Sequence, residues 1–256
     1  MFVGTSGWQY DSWRARFYPS ELPKSRWLEY YAERFQVVEV NNTFYRLPGA
    51  ETFAEWARRT PGDFVVAPKV SRYLTHIKRL KEPEEPVARF LDHAGPLGAK
   101  LGPLLVQLPP NLEADAGRLE AALARFPRGL RVAVEFRHDS WFTDKVREVL
   151  AAHGAALCLA DRRSRALGPE WRTAGWCYLR MHEGRASPAP CYGARALDSW
   201  ARRVADGWGP AADVYVFFNN DARACAVRDA IRFARAARGH GLEPTRVPAP
   251  DEVKAG

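Results

Sequence analysis

The sequence predicts a single TIM-like (β/α)8 barrel with parallel strands, and three observations lead to this. Short β-forming runs alternate with amphipathic helical stretches along the whole 256-residue chain. Eight such runs imply a parallel sheet with right-handed crossovers. The first turn, Gly4 to Trp8, lacks the glycine spacing of a doubly wound nucleotide-binding sheet, and no P-loop occurs. A closed barrel is therefore favoured over an open sheet.

The elements follow from runs of apolar residues and from their periodicity. The strand candidates are Phe2–Ser6, Val37–Asn41, Phe64–Lys69, Leu104–Leu108, Arg131–Arg137, Ala156–Asp161, Cys177–His182 and Val214–Phe218. The helix candidates are Ser25–Phe35, Ala50–Arg59, Pro86–Ala94, Ala116–Phe126, Thr143–His153, Leu197–Asp206 and Ala222–Arg238. We expect one domain over residues 1–256, of which 248–256 form a tail.

The composition is that of a globular chain, with 46% hydrophobic and 27% charged residues. No apolar run approaches the roughly 20 residues that span a bilayer, and no leader precedes the first strand, so we expect a cytoplasmic protein without membrane contact.

The four cysteines show no CxxC spacing, which disfavours a zinc cage and predicts reduced thiols. They are Cys158, Cys177, Cys191 and Cys225.

The net charge of +8 favours anionic partners. Most arginines lie on predicted helices, where a solvated helix face explains them. The run Arg162 to Arg165 is denser and follows a strand, so it is the better candidate for a functional basic loop.

Charged residues share one face of several predicted strands. In Val38 to Asn41 the valines alternate with Glu39 and Asn41. Helices should cover the apolar face of a barrel strand, so the charged face should point inward, near the carboxyl end where barrel enzymes place their active sites. The same reasoning places these residues at the mouth of the barrel: Lys69, Gln107, Glu135, Arg137, Asp161, Arg180, His182 and Asn219.

Aromatic residues follow the same strand ends. Trp8, Tyr10 and Tyr45 are candidates for stacking on a sugar ring or a base. Ordinary loop packing is the alternative explanation for each of them.

Several motifs resemble those of the YecE-like family, which is named for a domain of unknown function (number 72). They cover the chain in order: Gly4 to Tyr10, Glu39 to Pro48, Lys69 with Leu74 to His76, Gln107 to Pro110, Glu135 to Trp141, and Asn219-Asn220. The resemblance implies a TIM-like barrel and supplies no reaction. The chain departs from the expected Arg-x-His-Gly pattern, because Glu183 separates His182 from Gly184.

The first functional hypothesis is an enzyme that acts on a phosphorylated or nucleic-acid-derived substrate. Lys69, Arg137 and Arg180 would bind the anion. Glu39 or Glu135 would be the general base, with His182 as acid or proton shuttle, and these three are the catalytic candidates. Asn41, Gln107, Asn219 and the three aromatic residues complete the predicted substrate site.

Two alternatives stay open. A glycoside hydrolase or sugar-binding barrel would use Glu39 and Glu135 as its pair of carboxylates, although nearby cations oppose the raised pKa that a general acid needs. A non-catalytic anion-binding module would use the same cations. A buried ion-pair layer that plugs the mouth is the purely structural explanation.

A divalent metal is possible but not favoured. Magnesium or manganese would suit a ligand set of Glu39, Glu135, Asp161 and His182, whereas the neighbouring cations oppose metal binding.

The expected partner is a small anionic ligand, with nucleic acid as a second possibility. The sequence leaves the oligomeric state, the cofactors and the reaction open.

Overall fold

The structure is a computed structural model that describes residues 1–254. These residues form ten strands, most of which lie within a residue or two of the predicted runs. They are β1 (Phe2–Ser6), β2 (Val37–Val40), β3 (Val65–Pro68), β4 (Leu104–Gln107), β5 (Val132–Glu135), β6 (Ala156–Leu157), β7 (Leu159–Arg162), β8 (Arg165–Ala166), β9 (Cys177–Glu183) and β10 (Val214–Phe218).

Helices alternate with these strands, and short 3-10 turns precede several of them. The α-helices are α1 (Trp27–Arg34), α2 (Asn42–Tyr45), α3 (Ala50–Arg59), α4 (Glu84–Ala94), α5 (Ala116–Leu123), α6 (Asp144–Ala152), α7 (Ala194–Trp208) and α8 (Cys225–Gly239). Among residues 1–254, no helix has both the length and the apolar character that crossing a membrane requires.

The strands form a mostly parallel arrangement in which the first strand pairs with the last. One sheet has the order β3-β2-β1-β10-β9-β7-β8, and the other has the order β4-β5-β6. Among the described strands, only β8, the return strand of a short hairpin, runs antiparallel to its neighbour. The mixed α/β class with parallel strands is therefore confirmed.

A closed barrel is not confirmed, because the hydrogen-bonded ladder is interrupted at two places. Isolated bridges at Val66–Leu101 and Lys69–Leu105 connect β3 with the β4 region. The predicted strand Ala156–Asp161 is broken at Cys158, so that β6 pairs with β5 whereas β7 pairs with β9. The break explains why one predicted strand appears as two.

Two apolar clusters lie on opposite faces of the strands. The larger cluster joins the helices to residues such as Val38, Val134 and Leu179. The smaller one contains Val37, Ala133 and Tyr178, which alternate with the first set along the same strands. Glu39, Glu135 and Arg180 continue the face of the smaller cluster, as the period of two predicts. The charged side chains therefore lie on the strand face that is turned away from the helices.

The predicted tail is held against the body of the protein as far as it is described. Arg34 Nε donates to Glu252 at 2.8 Å, and the backbone N–H of Lys254 donates to the Arg16 carbonyl at 2.8 Å. Val253 packs against the larger apolar cluster. The last two residues of the predicted tail, 255 and 256, lie outside the described residues.

The prediction of reduced thiols is wrong for two of the four cysteines. Cys191, in the loop after β9, forms a disulfide with Cys225 at the start of α8. The other two, Cys158 and Cys177, are free and buried. The long loop between β9 and α7 turns back across the start of α8, which is a tertiary contact that sequence spacing does not reveal.

Gly184 lets this loop pass close to the end of β9. Its N–H donates to the Pro190 carbonyl at 2.8 Å. A Cβ atom there would lie 2.1 Å from the Cys191 carbonyl oxygen and 2.5 Å from the Tyr192 nitrogen. The glycine is therefore required by close backbone approach, and the extra Glu183 is accommodated by lengthening the strand.

We predict that Gly184→Ala lowers the free energy of unfolding by about 2 kcal/mol or more, because the clash is with backbone that cannot move aside. Chemical denaturation would measure the change. The matched control is Gly175→Ala, where an added Cβ meets nothing within 4 Å. It should change the free energy by no more than about 1 kcal/mol. Equal effects of the two substitutions would contradict the argument.

Candidate functional site

Two buried carboxylates share one guanidinium at the ends of the strands. Arg180 on β9 donates from Nη2 to Glu39 Oε1 at 2.8 Å and from Nη1 to Glu135 Oε2 at 2.6 Å. All three side chains are at most 2% exposed. Burial favours a raised pKa for Glu135, but the charges of Arg180 and Arg137, together with the hydrogen bond from His182, prevail and hold that pKa well below its usual range. The Glu135 carboxylate and the Arg180 guanidinium therefore both stay charged in the protein interior.

Tyr178 completes the surroundings of Glu39. Its hydroxyl donates to Glu39 Oε2 at 2.7 Å, so both oxygens of that carboxylate have a donor. Tyr178 lies two residues before Arg180 on β9, which puts both side chains on the same strand face. Burial and the nearby Glu39 raise the pKa of the phenol, which therefore stays a donor. Sequence reasoning missed this residue, although the period of two was a sufficient signal.

His182 is held at both ring nitrogens. Its Nε2 lies 3.1 Å from Glu135 Oε1, and its Nδ1 lies 3.2 Å from Asn219 Nδ2. Burial lowers the pKa of the imidazole despite the nearby Glu135. A neutral ring has one donor and one acceptor nitrogen, so Asn219 donating to Nδ1 leaves Nε2–H to donate to Glu135. Neither nitrogen is free to meet a ligand in this arrangement.

Arg137 lies at the outer side of the same group. It forms an ion pair with Glu135 Oε1, and its Nη2 lies 3.0 Å from His182 Nε2. Because His182 Nε2 carries the proton, it cannot accept a hydrogen bond from the Arg137 guanidinium. Glu135, and not His182, therefore holds the guanidinium in place. In the described part of the chain, the buried Nε of Arg137 has no hydrogen-bond partner. Arg137 is thus an incompletely paired cation whose side chain is 18% exposed.

Lys69 is the least compensated cation of the group. Its ammonium donates to Gln107 Oε1 at 3.0 Å and lies 4.0 Å from the centre of the Phe44 ring. Gln107 Oε1 also accepts from Arg180 at 3.3 Å. Within residues 1–254, no carboxylate forms an ion pair with Lys69. Burial, reinforced by the charge of Arg180, lowers the pKa of Lys69 to about 8.

A small polar cleft of about 110 Å³ lies between the ends of β1 and β2. Trp8, Tyr10 and Asn41 line it together with Ser6. The Ser6 Oγ and the Asn41 Oδ1 are buried and have no hydrogen-bond partner among the residues that the structure describes. Tyr10 donates to the Ser6 carbonyl, which fixes its ring beside the cleft.

The aromatic candidates differ in their placement. Trp8 is buried, and its ring meets Trp56 edge-on at 5.6 Å. Tyr45 is 69% exposed on α2 and has an edge contact with Phe44 at 5.1 Å. Phe44, rather than Tyr45, supplies the ring that contacts Lys69.

Asp161 does not extend the inward polar group, contrary to the prediction. It accepts hydrogen bonds from Tyr192 Oη at 2.8 Å and from Trp200 Nε1 at 2.8 Å. Because Trp200 belongs to α7, the carboxylate lies on the helix-facing side of β7. The run before it, Ala155 to Ala160, is apolar throughout and carried no alternation that could define its inner face.

The placement of Asp161 also removes one member of the metal set considered from the sequence. In the part of the chain that the structure describes, no group of three or more His, Cys, Asp or Glu side chains is arranged to hold a metal ion. Glu39 and Glu135 instead have their oxygens directed to Arg180, Tyr178 and His182.

The geometry defines a class of protein: a mostly parallel α/β fold with a buried ionic group where its strands end. The chain belongs to the family described as "Protein of unknown function DUF72", whose model matches residues 2–252. The resemblance seen in the sequence motifs is therefore confirmed.

Two curated relatives and two solved structures show the extent of the similarity. UPF0759 protein YecE of Escherichia coli K12 is 29% identical over 143 residues, which are 56% of this chain, and the match spans only 50% of YecE. UPF0759 protein YunF of Bacillus subtilis is 24% identical over 86% of this chain and 89% of its own.

A crystal structure of a DUF72 family protein from Thermotoga maritima has a TM-score of 0.80 and 29% identity, over 93% of this chain and 98% of that chain. A DUF72 family protein from Enterococcus faecalis has a TM-score of 0.76 and 19% identity, over 93% and 95% of the two chains. The second likeness concerns the fold alone.

We predict that Arg180→Gln lowers the free energy of unfolding by about 3–5 kcal/mol, because it leaves Glu39 and Glu135 buried without their shared cation. The matched control is Arg131→Gln, which removes a half-exposed ion pair with Asp213. That control should cost no more than about 1 kcal/mol. Denaturant unfolding at neutral pH measures both. If Arg180→Gln lowered the free energy of unfolding as little as the control, the pairing of Arg180 with Glu39 and Glu135 would not stabilise the fold, and the prediction would be wrong.

Proposed function

We propose that this protein binds a small anionic ligand, phosphorylated or carboxylated, where its strands end, and acts on it as an enzyme. The observation that carries the proposal is the Lys69 ammonium, which is buried beside Gln107 and Phe44 without a carboxylate partner. A buried cation without a counter-charge is costly. An anion that enters the site would remove that cost and use the remaining donors of Lys69.

Arg137 would be the second anion-binding group. Its exposed edge and its unpartnered Nε supply donors that Glu135 does not use. The groups at the site comprise two carboxylates, Glu39 and Glu135, and three cations, so the balance is positive. This excess favours an anion over a neutral ligand.

We assign Arg180 a different role from the one predicted from the sequence. Its two terminal nitrogens are directed to Glu39 and Glu135, so we assign it to organising those carboxylates rather than to binding the ligand. Glu135 is in turn a weak base because its pKa is lowered. We assign the two glutamates to holding Arg180, His182 and Arg137 in position.

The proton-transfer group that the geometry supports best is Lys69. An amine with a pKa of about 8 exchanges its proton close to neutral pH, where acid–base catalysis is most effective. His182 is less suited because Glu135 and Asn219 occupy its ring nitrogens. The proposed step is proton transfer from the Lys69 ammonium to an oxygen of the bound anion, which leaves a neutral amine that regains its proton from water.

We also propose that the strands enclose a barrel whose mouth carries this site. Pairing of β1 with β10 and the bridges between β3 and the β4 region support it. Active sites of such barrels lie at the carboxyl ends of the strands.

The alternatives are less well supported by the same contacts. Glycoside hydrolysis requires one carboxyl group with a raised pKa, whereas Arg180 links Glu39 to Glu135 and the pKa of Glu135 is lowered. A non-catalytic anion-binding module, or binding of a nucleic-acid fragment, would use the same cations. Turnover of a bound phosphorylated compound would separate an enzyme from a module.

We predict that sulfate binds to the native protein and that Lys69→Met weakens the binding by about tenfold or more. Binding requires the ammonium form, which is present below a pKa of about 8 and is lost as the pH rises through it. Sulfate affinity should therefore fall by about tenfold between pH 7 and pH 9. Sulfate is chosen because its own charge does not change in this range. Isothermal titration calorimetry measures both effects.

The control is Lys145→Met, which removes an exposed lysine on α6 without touching the site. It should leave sulfate affinity and its pH dependence unchanged. Absence of sulfate binding to the native protein, or equal binding by the Lys69 variant, would refute the proposal.

A further inference from the structure

A cleft of about 510 Å³ opens beside the anion site, between the loops that follow β4 and β5 and the β7–β8 hairpin. Gln107, Phe136, Arg137 and Leu167 are among the residues that line it. Its volume lies in the range of about 300–1,000 Å³ that is typical of small-molecule sites. None of the roles assigned above uses this space.

The cleft adjoins the anion site, because two residues belong to both. Gln107 Oε1 accepts from Lys69 at 3.0 Å, and Arg137 pairs with Glu135. Both residues also line the cleft. A ligand whose charged group lies between Lys69 and Arg137 would therefore extend the rest of its body into the cleft.

The wall of the cleft behind Arg137 is aromatic and held in place. The Phe136 ring stacks on Trp141, with centroids 4.9 Å apart, and meets Phe142 edge-on at 6.1 Å. Phe142 in turn contacts Trp171 at 6.1 Å. Leu167 and Pro110 add aliphatic surface. Such a wall would bury an apolar ring.

A second cation stands at the rim. Arg162 lies at the end of β7 and is exposed, and its side chain has no ion pair with any residue from 1 to 254. The hairpin that carries it turns at Arg163 and Ser164, which have φ values of 57° and 58°. Asp161 anchors the turn by accepting from the Ser164 N–H at 3.0 Å. Of the carboxylates in residues 1–254, Asp139 alone lines the cleft.

We infer that the ligand is an amphipathic anion, with a phosphate or carboxylate group at Lys69 and Arg137 and an apolar ring against Phe136 and Phe142. The inference rests on the proposed anion site and adds the chemical class of the body that the anion carries. A compact inorganic anion would leave the aromatic wall unused, whereas a phosphorylated or carboxylated ring compound would cover it.

The test compares methyl phosphate with phenyl phosphate, which share the charged group and differ in the ring. Calorimetry on the native protein should show phenyl phosphate binding about tenfold more tightly, because the ring leaves water for the aromatic wall. Phe142→Ala should reduce that preference to about twofold or less while leaving the affinity for methyl phosphate unchanged.

The matched control is Tyr30→Ala, which removes a partly buried ring from α1, outside the cleft, and should keep the preference of the native protein. Equal binding of the two phosphates to the native protein would overturn the inference and leave the anion site standing. If neither phosphate binds, the anion site itself is refuted, and the inference with it. The comparison on the native protein decides the matter even when Phe142→Ala does not fold.

Discussion

Two buried carboxylates share one guanidinium in this protein, and the rest of the strand-end site is arranged around that contact. Arg180 reaches Glu39 on β2 and Glu135 on β5, so it connects strands that belong to different sheets. Buried ion pairs are poor sources of stability compared with apolar packing, because desolvation offsets the attraction. Their value here lies in holding charged groups at fixed positions, in a region where the ladder of strands is interrupted.

The pairing of Arg180 determines which groups remain for a ligand. With both carboxylates engaged, Lys69 has only an amide oxygen and a ring as partners among residues 1–254, and Arg137 keeps an unused donor. An uncompensated buried cation is a common feature of functional sites, where a shifted pKa is linked to chemistry. The aromatic cleft next to Arg137 would bind the uncharged part of the same ligand.

The sequence was informative wherever polar and apolar residues alternate. The period of two in Val37 to Val40 and in Val132 to Glu135 predicted which face carries Glu39 and Glu135, and the family motifs covered the same strands. The pairing itself could not be predicted, since three cations were available to two carboxylates. The strand face of Asp161 was predicted wrongly because the residues before it are apolar throughout. The Cys191–Cys225 bond was not predicted because it depends on a loop path that sequence spacing does not encode. The cleft arises from three separate loops and has no local signal.

The protonation state of one amine, Lys69, determines whether the strand-end site can hold an anion. Its titration can be followed by nuclear magnetic resonance of lysine labelled with carbon-13 at Cε, with Lys69→Met to assign the signal. We expect a midpoint of about 8, because burial and the charge of Arg180 lower the pKa of Lys69 more than the charges of Glu135 and Glu39 raise it. A midpoint at or above the ordinary value of 10.5 would show that the ammonium has a counter-charge or is solvated, and would contradict the central claim.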